Sequence, residues 1–179
     1  MTTPGHSHKP LVGVSQCLLG DPVRYDGGHK YDHWVNRVLG KYFEYVPVCP
    51  EMAIGLGVPR KPIHLLASDG TTRVRGVDDP DLDVTDALAL EAERMLEASP
   101  KLSGFIFMQN SPSCGVYAAK RFSKTGVLLD RTGRGEFARR LIDQHPQLPV
   151  AEAQELANAS ARCRFIARVR AYQQEHFGI

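Results

Sequence analysis

Long apolar runs, a strong charge of either sign and paired cysteines are all missing from this 179-residue chain. No stretch approaches the roughly 18 apolar residues that a bilayer span needs, so no membrane partner is expected. The polar start from Met1 to Pro10 does not read as a secretion signal. Twenty-two Lys and Arg against 20 Asp and Glu leave a formal charge of +2, too little for a stand-alone nucleic-acid binder held by bulk charge. The four cysteines include no C-x-x-C pair, which removes a thiol–disulfide enzyme. They show neither the paired spacing of a structural zinc site nor the H-x-E and P-C-x-x-C of zinc deaminases. Composition also excludes collagen-like, disulfide-scaffold and disordered classes. Widely spaced cysteines without a signal peptide are expected to be reduced thiols in a cytoplasmic protein, present for ligation or catalysis.

What is there alternates. Leu11 to Ser15, Phe43 to Val48 and Gly104 to Met108 read as buried strands, with a short strand at Leu148 to Val150 and another at Val127 to Leu129. His64–Ala67 and Thr72–Arg75 flank Ser68-Asp69-Gly70 as a hairpin. Helices are predicted over Tyr31 to Leu39, with Trp34, Val35 and Val38 on one face, and over Glu136 to Gln144. A third opens at Asp83 or Thr85 and runs to Ala98, its stripe made by Ala87, Leu88, Leu90, Ala92, Met95 and Leu96. A closing amphipathic helix spans about Glu152 to Gln174. The expectation is an α/β fold, a single compact domain with a Rossmann-like, mostly parallel sheet flanked by helices. Residues 1–10 are expected as a flexible tail in which His6 and His8 have no role, 11–150 as the α/β domain, and 151–179 as a helical extension packed on it.

Position carries the functional signal. Cys17, Cys49 and Cys114 each sit at or just beyond the carboxyl end of an apolar strand, where open parallel sheets bind ligands. Three converging thiols suit an iron–sulfur cluster, leaving one iron of a four-iron cubane open as a Lewis acid. Glu51, two positions beyond Cys49, is a candidate general acid or base, or simply a helix N-terminal charge. Ser111 and Ser113 are candidate hydroxyl donors that equally suit a turn. Arg24 is a candidate anion clamp, Tyr25 a stacking face, and Asp26-Gly27 is also an ordinary turn dipeptide. Arg60-Lys61 forms a basic loop able to meet a phosphate, or simply solvated. His29 and His33 have no evident partner. Cys163, with Ala159 and Ile166 on its helical face, reads as a core thiol.

Taken in order, Ser15-Gln16-Cys17-Leu18-Leu19-Gly20, Arg24-Tyr25-Asp26-Gly27, Val46-Pro47-Val48-Cys49-Pro50-Glu51, Gly55-Leu56 with Pro59-Arg60, Asp83-Val84-Thr85 and Ser111-Pro112-Ser113-Cys114-Gly115 resemble the TudS-type thiouracil desulfidase family over roughly residues 10 to 135. The resemblance implies a [4Fe-4S] cluster held by Cys17, Cys49 and Cys114 with one open iron. It implies hydrolytic conversion of a thiolated uracil to its oxo form, with sulfide released and no net redox change. Glu51 and one of Ser111 or Ser113 would move protons, while Arg24, Tyr25, Asp26 and Arg60 would bind substrate. The implied partner is a thiolated pyrimidine or its nucleotide, with tRNA thiouridine left open. The alternative, a non-catalytic iron–sulfur sensor or RNA-binding module, is disfavoured by Glu51 and by the near-neutral charge.

Beyond that stretch, Ala151 to Ile179, with Arg162, Arg164, Arg168 and Arg170, resembles the connecting region of longer relatives associated with tRNA thiouridine desulfidation, without their extra domain. The chain is therefore expected to be a naturally short form or a piece cut at that boundary. The helix is expected to cover the sheet, with Cys163, Ile166 and Val169 inward and the arginines solvated.

Overall fold

The computed structural model describes residues 8–179. His6 and the rest of the expected tail up to residue 7 lie outside that range. Residues 8–10 are already tied to the fold: Pro10 is buried and its carbonyl accepts from Glu44 N–H at 3.0 Å.

Among the described residues eight strands follow in chain order: β1 (Leu11–Ser15), β2 (Glu44–Val48), β3 (Ile63–Ser68), β4 (Thr71–Gly76), β5 (Leu102–Phe107), β6 (Ala119–Phe122), β7 (Leu128–Gly133) and β8 (Val150–Glu152). Four α-helices join them: α1 (Pro50–Ala53), α2 (Thr85–Ala98), α3 (Glu136–Gln144) and α4 (Ala159–Phe177). The principal sheet, ordered β2-β1-β5-β8, is parallel throughout. A second sheet, ordered β4-β3-β6-β7, pairs two antiparallel hairpins through a parallel β3–β6 contact. The sequence pointed to the β3–β4 hairpin, whose Asp69 and Gly70 both adopt positive φ as a two-residue turn requires. It did not point to β6, or to a separate sheet. Ala119 to Phe122 carries Lys and Arg at its centre and reads as polar, because one face of that sheet meets solvent.

The principal sheet is buried on both faces. On one, Val12, Val14 and Ile106 pack with Val35, Leu39, Phe165 and Val169. On the other, Phe105 and Phe107 stack at 4.1 Å and meet Phe137 and Leu141 of α3 and Ala92 and Met95 of α2. Alternation along β5 sends Ile106 one way and the two phenylalanines the other. Gly13 lies opposite Phe105 in register, and a Cβ there would stand 2.3 Å from the ring, so the stack requires glycine. Leu65, Val74, Val84 and Leu88 form a smaller core that fastens the second sheet to α2.

Several expectations are corrected. The predicted helix over Tyr31 to Leu39 is a single π turn over Trp34–Val38 followed by a 3-10 turn, Leu39–Lys41; Val35 and Leu39 are buried while Trp34 is exposed. In α2 the stripe is narrower than read, with Leu88, Ala92 and Met95 inward but Ala87 and Leu90 exposed. The Leu148 strand is displaced to β8, and the closing helix is divided into a 3-10 turn, Ala153–Ala157, and α4. Cys163 is exposed rather than a core thiol. Phe165 and Val169, four residues apart, define the inward face of α4, and Cys163 lies two residues before Phe165, about 200° around the helix.

Asp83-Val84-Thr85 is a structural motif. Asp83 Oδ2 lies 2.5 Å from Arg73 Nε and 3.0 Å from Arg75 Nε, and Oδ1 accepts from Thr85 N–H at 3.0 Å. The Thr85 hydroxyl accepts from Val74 N–H, binding the start of α2 to β4. Burial opposes ionisation of Asp83, but the bonds from Arg73 and Thr85 outweigh it and hold the carboxyl down at about 2. A depressed carboxyl stabilises the fold above its unfolded value near 4 and loses that contribution as pH falls towards 2. Replacing Asp83 with Ala should lower stability by about 1–2 kcal/mol at neutral pH. Urea denaturation should show the difference shrinking between pH 4 and pH 2.

A cysteine-walled cavity at the carboxyl edge of the principal sheet

Parallel pairing sets Ser15 beside Val48 and Val14 beside Ile106, so the exits of β1, β2 and β5 lie on one edge. Cys17 follows β1 in a 3-10 turn, Cys49 follows β2 directly, and Cys114 closes a loop after β5. All three line a cavity of about 650 Å³, together with Glu51. All four cysteines of the chain are free thiols, and Cys163 stands apart on α4.

Each of the three thiols is held in its protonated form. Burial raises Cys17, with Arg24 opposing. Burial and then Glu51 push Cys49 up to about 11. Complete burial, and then Glu51, drive Cys114 well up, opposed by a hydrogen bond from the Ser15 hydroxyl. Glu51 is buried in the first turn of α1, and its Oε2 lies 3.5 Å from Cys49 Sγ, which donates to it. The buried Cys17 and Cys114 thiols, the half-buried Cys49 thiol and the Glu51 carboxylate form a donor set with no cation among them, and metal binding would release the thiol protons.

Among the described residues no three His, Cys, Asp or Glu side chains close on a point as the ligands of one metal ion would. A multi-iron cluster makes a different demand. Its thiolates attach to separate corners and need only face a shared space. Cys17, Cys49 and Cys114 meet that demand with soft, unpaired donors, and no fourth cysteine lines the cavity.

The loop that carries Cys114 is clamped by backbone. At the start of α3, Glu136 N–H donates to Pro112 O at 3.1 Å and Ala138 N–H to Ser113 O at 3.1 Å, while Gly135 N–H meets Gly115 O at 2.7 Å. Helix amides that would otherwise lack partners thus hold the loop. Glu152, fully buried at the end of β8, accepts from Val116 N–H at 2.8 Å and Tyr117 N–H at 3.2 Å. The Ser111 hydroxyl accepts from Ser113 and Cys114 N–H at 3.2 and 3.0 Å, which leaves its own hydrogen free to donate. Ser111 lines the cavity. Ser113 does not: it is fully buried, and among the described residues its Oγ has no partner.

Of the residues read as substrate-binding, Arg24, Tyr25 and Arg60 line the cavity. The Arg60 guanidinium spends one nitrogen on Val23 O and Gly57 O, both at 2.9 Å, so it fastens two loops. Asp26 is not in the wall; it is exposed and accepts from Gly28 N–H at 3.0 Å, the turn-forming role of its dipeptide. The sequence reading missed Ser15 and Gln109 on the principal sheet's edge, and His64, Lys120 and Phe122 on the second sheet, all of which line the cavity. Ser15 was already inside a quoted motif beside Cys17. The second-sheet residues carried no local signal, because only the packing of the two sheets brings them there. Five cations, Arg24, Lys30, Arg60, Lys61 and Lys120, line the cavity against the single acid Glu51.

The family model described as 2-thiouracil desulfurase matches residues 12–153 of the chain. The uncharacterized protein YbbK of Bacillus subtilis strain 168 is 28% identical over 139 residues, covering 69% of this chain and 91% of that protein. A solved structure described as the [4Fe-4S]-dependent thiouracil desulfidase TudS is similar with a TM-score of 0.66 at 28% identity, covering 87% of this chain and 99% of its own. Among the described residues no helix is long and apolar enough to cross a membrane.

At Gly135 an added Cβ would stand 2.3 Å from the Ser113 carbonyl carbon. Backbone at both ends of that contact cannot yield cheaply. Gly135→Ala should lower stability by about 3 kcal/mol in urea titration, and it should displace the Cys114 loop, read as faster amide exchange at Val116 and Tyr117.

Proposed function

From the premise that this chain belongs to the 2-thiouracil desulfurase family, we propose that it removes sulfur from a thiolated uracil by hydrolysis, exchanging C=S for C=O and releasing sulfide. The observation that carries the proposal is the meeting of three free thiols and a buried carboxylate on one cavity wall. Cys17, Cys49 and Cys114 would hold the [4Fe-4S] cluster. Bound there, it would supply a soft Lewis acid able to polarise a thiocarbonyl.

The remaining work falls to this chain's own groups. Glu51 Oε2 now accepts from the Cys49 thiol; a Cys49 that ligates has lost that proton, and Oε2 is then free to take one from the attacking water. Balance requires water to supply the oxygen and both protons, one relayed through Glu51 to the departing sulfur. The Ser111 O–H, fixed by the two amides that its oxygen accepts, can donate into the cavity to orient the ring or the water. Tyr25, His64 and Phe122 offer aromatic faces on which a pyrimidine can lie. The excess of cations over the single acid favours an anionic substrate, which supports a thiolated nucleotide ahead of the free base.

Anaerobic reconstitution should give about four irons per chain and broad iron–sulfide charge-transfer absorption. Both should be lost in Cys17→Ser, Cys49→Ser and Cys114→Ser but kept in Cys163→Ser. The loaded protein should release uracil and sulfide from 2- or 4-thiouracil in equal amounts, and Glu51→Gln should keep the iron while losing at least a hundredfold in turnover. Full turnover by Cys49→Ala would refute the reading.

A further inference from the structure

We propose that Gln109 reads the edge of the pyrimidine, its amide oxygen accepting from the ring N3–H that adjoins the thiocarbonyl. The inference deepens the desulfidase reading and rests on it. Gln109 follows β5 by two residues and lines the cavity on the wall that also carries Cys114. Among the described residues its Oε1 is shielded from water and has no hydrogen-bond partner. An acceptor buried without a donor is destabilising, and native folds satisfy nearly all of them, so a turn of the Gln109 side chain into the cavity that it lines would give this oxygen the donor it lacks.

Among the described residues neither cavity-lining serine donates to it: Ser15 Oγ accepts from Met108 N–H at 2.9 Å and Ser111 Oγ accepts from two amides. Gln109 is held in place from the next residue onward. Asn110 adopts φ +60°, a left-handed turn that asparagine tolerates better than most residues. That turn leads directly into the clamped Ser111–Cys114 segment.

The missing donor has a chemical description. A 2-thiouracil and a 4-thiouracil both carry N3–H beside the C=S carbon, so one acceptor near the sulfur position serves either isomer. The glutamine NH₂ can meanwhile donate to the remaining ring carbonyl. A thiolated cytosine presents a lone pair at N3 and would meet the amide oxygen with repulsion. His64 and Phe122 of the second sheet lie 5.5 Å apart at 30° and line the same cavity.

The test compares uracil with 3-methyluracil, which lacks the N–H, by calorimetric binding to the iron-loaded protein, and 4-thiouracil with 3-methyl-4-thiouracil by turnover. Wild type should prefer the N–H form by about tenfold to a hundredfold in both measurements. In Gln109→Met, of similar length and loaded with the same iron content, the preference should fall to within about threefold, through weaker binding of uracil. Gln109→Glu, which keeps an acceptor oxygen, should recover part of it. A wild type without the preference, or a Gln109→Met that retains it, overturns the inference while leaving the desulfidase reading standing. Binding that shows the preference in a protein releasing no sulfide from either thiouracil supports the edge reader and removes the desulfidase reading instead.

Discussion

Parallel pairing of β1 with β2 on one side and β5 on the other constrains everything that this cavity can do. Strands in that arrangement must leave the sheet by the same edge, and the residues that follow them must share whatever space lies beyond it. Cys17, Cys49 and Cys114 are separated by tens of residues in the chain, yet each lies in the segment that follows one of three neighbouring exits. The pairing depends in turn on Gly13, because a side chain there would displace the Phe105–Phe107 stack on which α2 and α3 pack.

Polar backbone then makes the edge rigid. The first amides of α3 bind carbonyls of the Cys114 loop, and the buried Glu152 carboxylate binds two amides just beyond it. Each of these groups would be unsatisfied if the loop moved, so displacement of Cys114 breaks several buried hydrogen bonds together. The second sheet adds His64, Phe122 and Lys120 to the lining that carries the thiols and the carboxylate.

Where local pattern and tertiary contact agree, the sequence was a sufficient guide. β1 and α3 have the ends that their apolar spacing marks, and the Asp69-Gly70 turn follows from the positive φ that its residue types tolerate. Where packing decides, it was not. Cys163 looked inward by its neighbours, but Phe165 and Val169, bulkier and four apart, set the buried face. Trp34 looked like core and is instead exposed, with the Arg162 guanidinium over its ring at 3.9 Å. Ser113 looked like a hydroxyl donor as plausible as Ser111, but it is fully buried, with Gly135 close against its backbone, and does not line the cavity.

Residue order alone determined which atoms are available: three thiols after three apolar strands, a carboxylate two positions beyond one of them, and a serine-flanked loop around another. Those assignments are local, because strand periodicity and turn chemistry act over a few residues. Tertiary structure alone decided what faces what. It brought His64, Lys120 and Phe122 across from a sheet that the chain's pattern did not announce, and it left the Gln109 oxygen without a donor. Such facts depend on distances between segments far apart in the chain, and no local preference encodes a distance of that kind.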